Sequence, residues 1–66
     1  MGKNKYQKGR DFLEKLKSEN TVHPTDVFVK ELKKEIGFDE RTIKSYIKMF
    51  LEYQMISEEG QNVRIN

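Results

Sequence analysis

Sixty-six residues with no cysteine, no tryptophan and no alanine make one small domain at most. Only 35% of them are hydrophobic, so nearly all must share one core. This excludes a large active-site cavity, a disulfide framework and a Cys-type zinc site. Thirteen basic against eleven acidic residues leave a formal charge of +2, too small a bias to argue for nucleic acid by itself.

The charge is unevenly placed. Residues 1–17 hold six bases against two acids, residues 18–40 three against six, and residues 41–66 four against three. No apolar run approaches the ~20 residues of a membrane span, and the start lacks the apolar stretch of a signal peptide. The expected location is cytoplasmic. Heavy Lys and Glu use without Cys is compatible with a thermophile.

Residues 1–4 have no apolar anchor and are expected to form a disordered start, with residues 5–66 as a single domain. From Lys5, Tyr6, Phe12, Leu13 and Leu16 recur at helical spacing, which predicts an amphipathic helix ending near Asn20. Thr21-Val22-His23 is short and β-prone, and Pro24 biases His23 to an extended backbone. Pro24 then opens a second helix, with Asp26 near its positive end. Val29, Leu32 and Ile36 form its apolar stripe, and Gly37 stops it. Phe38 is expected as a plug between helices two and three.

Asp39 is placed to cap a third helix over residues 39–53. Ile43, Ile47, Phe50 and Gln54 fall on one side of a helical wheel, with Leu51 and Tyr46 flanking. Arg41, Ser45, Lys48 and Glu52 fall on the opposite side, with Lys44 on the shoulder. Met55-Ile56-Ser57 and Val63-Arg64-Ile65 then alternate around Glu58-Glu59-Gly60-Gln61-Asn62, which predicts a short hairpin. The fold class expected is mainly α with a small β-hairpin.

The run Ile36-Gly37-Phe38-Asp39-Glu40-Arg41-Thr42-Ile43-Lys44-Ser45-Tyr46-Ile47-Lys48 resembles the turn and recognition helix of winged helix-turn-helix DNA-binding proteins. Those often read Gly, an apolar residue, Ser or Asp, any residue, Arg-Thr, then Val or Ile. Leu51 to Ile56 is similar to the segment leading that helix into the wing, and the likeness spans roughly residues 28–65. The small size and lysine-rich style lean toward compact regulators of archaea, their viruses and plasmids. The resemblance implies three helices plus a wing, with helix 39–53 entering the major groove. Two positions depart from the pattern. Lys33 stands where a small residue is common, implying a shifted helix crossing or a lysine stem lying along apolar surface. Glu58 and Glu59 make the wing acidic where a DNA-touching wing is usually basic.

A helix can read the major groove only if one face carries donors while the other anchors it to a core. Arg41 suits guanine O6 and N7 or a phosphate. Thr42 and Ser45 are short donors for base edges or phosphate, and Lys44 and Lys48 suit phosphates. The start of the second helix around Thr25 would offer backbone N–H groups to phosphate. Lys5, Lys8 and Arg10 would add non-specific contacts, and Gln61, Asn62 and Arg64 would graze the backbone if the wing lies against DNA.

The same polar face is also what any solvated helix shows; the turn glycine, the cap, the Arg-Thr-Ile and the hairpin together tip the balance. Tyr46, Phe50, Tyr53, Phe12 and Phe28 are expected in the core rather than as base-stacking platforms. His23 is expected as a strand-end or capping residue, since one histidine makes neither a metal site nor a catalytic pair. No enzyme, cofactor, metal or small-molecule ligand is expected. The expected partner is double-stranded DNA, bound by a homodimer because one recognition helix with few phosphate contacts binds weakly. Exposed apolar residues of the first helix, or Met49 and Tyr53, are candidate dimer contacts. The alternative is a winged-helix protein-interaction module docking through its acidic wing or second helix.

Overall fold

The chain runs in the order α1 (Lys5–Glu19), β1 (Val22–Pro24), α2 (Thr25–Ile36), α3 (Glu40–Glu52), β2 (Ile56–Glu59) and β3 (Asn62–Ile65) in a computed structural model that describes residues 4–66. It is mainly helical, with a small antiparallel sheet. Of the expected disordered start, residues 1–3 lie outside the described residues, and Asn4 caps α1. Its side chain accepts from the Gln7 N–H at 2.8 Å, one of the donors a helix start leaves without a partner.

His23 closes the other end of α1. Its Nε2 lies 2.7 Å from the Asn20 carbonyl and 3.2 Å from that of Leu16, so a proton on Nε2 serves both acceptors. The side chain is buried. It therefore caps, as its position before Pro24 suggested.

The sheet has three strands in the order β1-β3-β2, rather than a hairpin alone. Val22 pairs with Arg64 and His23 with Val63, while Ile56 pairs with Ile65 and Glu59 with Asn62. Two backbone bonds flank the β1 pairing: Ile65 N–H to Thr21 O at 2.7 Å and Thr25 N–H to Gln61 O at 2.9 Å. The short 21–23 segment thus gains a partner that local pattern does not reveal. Pro24 ends β1 and immediately precedes α2, one place earlier than expected.

α2 buries Phe28 and Leu32 and ends at Gly37, whose φ of 112° suits a residue without Cβ. Asp39 caps α3, accepting from the Arg41 N–H at 2.9 Å. Three phenylalanines join the helices: Phe12 stacks on Phe50 at 6.4 Å, and Phe28 meets both edge-on at 5.6 and 6.2 Å. Tyr46 meets Phe50 edge-on. Gly9 lets α1 approach α3, since a Cβ there would fall 2.6 Å from Phe50 Cε1.

Four expectations change. Phe38 is 78% exposed and plugs nothing. Leu32 and Ile43, with partly buried Val29 and Ile36, already fill the helix 2–3 junction. Tyr53 follows α3 and is 62% exposed, its ring edge-on to Tyr6 at 5.6 Å. Gln54 lies beyond the helix at φ 56° and is exposed, so it leaves the apolar stripe. The buried face of α3 centres on Ile43, Tyr46 and Phe50, because α1 packs on the Tyr46–Phe50 side. Lys33 is half-buried beside Val29, Ile43 and Ile47, so its stem lies on apolar surface.

Candidate functional site

The rotation of α3 decides where its polar residues go. Arg41, Lys44 and Lys48 are exposed. Lys48 reaches Glu52 at 3.9 Å, a loose surface pair of little worth. Arg41 and Lys44 have no carboxylate partner among the described residues. Thr42 and Ser45 are half-buried and turn toward α1 rather than to the outward pole.

There they meet the start of α1. A shallow groove of about 390 Å³ is lined by Lys5, Lys8, Arg41, Thr42, Ser45 and Tyr46, with no carboxylate among the six. The Lys5 ammonium donates to Ser45 Oγ and sits 5.3 Å from the centroid of the Tyr46 ring, within reach of a cation–π attraction. Arg10, grouped with these lysines by sequence, lines the other flank of α1 and pairs with Glu14 at 3.3 Å.

The remaining candidates stand apart from this groove. Arg64 on β3 is held by Glu59 on β2, its Nε donating to Oε2 at 2.7 Å. That hydrogen bond, reinforced by the opposite charge, holds the Glu59 carboxyl below the usual carboxylate range and raises Arg64 further. Asn62 is exposed on the same hairpin, opposite Glu59. At Thr25 the backbone N–H is already bonded to Gln61, so that donor is not available to an external anion. Among the described residues no group of His, Asp and Glu has the arrangement of a metal site. No helix there is long and apolar enough to cross a membrane.

From sequence Lys5 and Lys8 read only as non-specific charges, and nothing local joins Lys5 to Ser45, 40 residues away. The available signal was Gly9, a residue that permits close helix approach on the face between Tyr6 and Phe12.

Comparison of the chain with family models, curated proteins and solved structures finds no match. The functional reading therefore rests on the geometry.

Proposed function

We propose that this protein is a winged-helix, sequence-specific double-stranded DNA-binding protein that acts as a transcriptional regulator, with helix 39–53 entering the major groove. The observation that carries this reading is α3 itself. Its inner face is anchored by Ile43, Tyr46 and Phe50, while Arg41, Lys44 and Lys48 stand in solvent. A major groove about 12 Å wide admits such a helix when its free face carries donors. The order α2, Gly37 turn, α3, hairpin supports the assignment of β2 and β3 as the wing.

In this reading Arg41 contacts a guanine edge or a phosphate, and Lys44 and Lys48 neutralise phosphates. Thr42 and Ser45 contribute short donors; Thr25, Asn62 and Arg64 lie outside the main contact and add at most backbone touches. Dimerisation would supply the affinity that one recognition helix lacks. A second reading, a winged-helix module that docks a protein, draws support from the hairpin, where Glu58 and Glu59 are exposed and Arg64 is neutralised.

Fluorescence anisotropy of a labelled ~30 bp mixed-sequence duplex separates the two readings. DNA binding predicts a dissociation constant at or below about 10⁻⁴–10⁻⁶ M that weakens steeply with salt. The double variant Arg41→Ala/Lys48→Ala should weaken binding and flatten its salt dependence. A duplex affinity left unaltered by that variant assigns the recognition helix wrongly, and no binding at low salt favours the protein-docking reading.

A further inference from the structure

We propose that the groove between α1 and α3 seats one backbone phosphate of the bound duplex, so that α1, not the hairpin, is the second anchor beside the recognition helix. This rests on the DNA-binding reading above and assigns different work to residues that sequence treated as alike.

Three observations carry it. Lys5, Lys8 and Arg41 share one shallow depression without a carboxylate. Cations brought together in this way repel one another, and an anion among them relieves the repulsion. The Lys5 ammonium is also held in place, between Ser45 Oγ and the Tyr46 ring, which lowers the entropy lost when it grips a ligand. Ser45 Oγ accepts from Lys5, so its own O–H is left to donate, and half-buried Thr42 lines the same groove. Two cationic amines, a guanidinium fork and two hydroxyls form a donor set with no competing acceptor charge, and a phosphate diester's two free oxygens match it.

The hairpin offers no equivalent. Its single basic residue, Arg64, already donates to Glu59 at 2.7 Å, and Glu58 lies next in the strand. A phosphate there would have to displace a carboxylate. The groove therefore takes the phosphate, and Thr42 and Ser45 serve the backbone rather than base edges. The outward Lys44 and Lys48 lie outside this groove and serve the other phosphates.

The test compares the whole chain with Lys5→Gln/Lys8→Gln and, separately, Ser45→Ala. Gln keeps helix propensity near that of Lys, and circular dichroism checks that each variant folds. Anisotropy over a salt series is run on two duplexes of unrelated sequence. The Gln pair should weaken both duplexes by the same factor and flatten the slope of log K against log salt by about one phosphate's worth, near 0.9. Ser45→Ala should weaken both duplexes by one equal, smaller factor and leave the slope unchanged. A wild-type chain that binds duplex while the Gln pair keeps its affinity and slope overturns the phosphate seat and leaves the DNA reading intact. If the wild-type chain binds no duplex, a titration with inorganic phosphate followed by amide NMR decides the matter. Saturable shifts at Lys8, Thr42 and Ser45 that vanish in the Gln pair support an anion seat without DNA. Their absence in the wild type overturns it.

Discussion

The α1–α3 groove and the β2–β3 hairpin both carry basic side chains and handle them in opposite ways. In the groove Lys5, Lys8 and Arg41 converge, and no carboxylate is among the described residues that line it. On the hairpin Arg64 is paired with Glu59, and the adjacent Glu58 is exposed and has no basic partner among the described residues. A formal charge of +2 thus hides a strongly cationic side and an acidic edge. The lesson is that net charge says little about a partner until the fold decides which charges share a surface.

The strongest way to break the contrast is to remove what both regions stand on. Phe50 is fully buried and touches Phe12, Phe28 and Tyr46. Phe50→Ala should cost about 3–5 kcal/mol, against a total on the order of 3–10 kcal/mol for a domain this size. Chemical denaturation followed by circular dichroism should find the groove helices and the sheet lost together. Survival of one without the other would mean they are separate units.

Gly9→Ala acts first where α1 meets α3. The added methyl meets Phe50 Cε1 at 2.6 Å and Met49 Cε at 2.9 Å. Met49 can swing away, but Phe50 is fixed in the core. Overpacking of about 1–3 kcal/mol should outweigh the roughly 1 kcal/mol gained in helix propensity. Amide NMR should show its largest shifts in α1 and α3 and smaller ones in the β2–β3 hairpin. Asp39→Ala removes the cap of α3 and should cost about 1 kcal/mol, again read by denaturation, with fraying confined to residues 40–42.

On the other side, Glu59→Gln should raise duplex affinity by a few fold at low salt, because it deletes an acid and frees Arg64. Unchanged affinity would place the hairpin away from the DNA altogether. The smallest effect is in pH. Glu59 is held low by Arg64, so the pair persists through mildly acidic conditions and is lost as pH falls through that lowered value. The Glu59 carboxyl resonance should titrate below that of a glutamate in the unfolded chain, and Glu59→Gln should remove this feature from the acid limb.

Much of this fold was legible because local signals agreed. Gly37, Asp39 and the apolar spacing of residues 43–50 placed α3 to within a residue at each end, and His23 was readable as a cap. What escaped was set by contacts between distant segments. A wheel anchored on Ile43 and Ile47 put Ser45 at the outward pole, whereas α1 packs over Tyr46 and Phe50 and turns Ser45 inward. Gly9 permits that packing, yet nothing in its neighbours says which partner approaches. Phe38 reads as a plug from its place in the turn and Tyr53 as core from helical spacing, but both sit in short connections after the interior is filled. Likewise, β1 finds its partner in β3 through backbone bonds that a three-residue segment cannot advertise.

Gln54, where the chain leaves α3, sits at φ 56° and is the one non-glycine residue with positive φ among those described. A residue with a Cβ pays on the order of 1 kcal/mol for that geometry, and asparagine tolerates it better than glutamine. In evolutionary terms this is a ready suppressor site. A single change to asparagine, outside the groove lining, would return tolerance to a lineage that had lost stability by adding cations elsewhere, so the protein can explore new binding surfaces without first rebuilding its core.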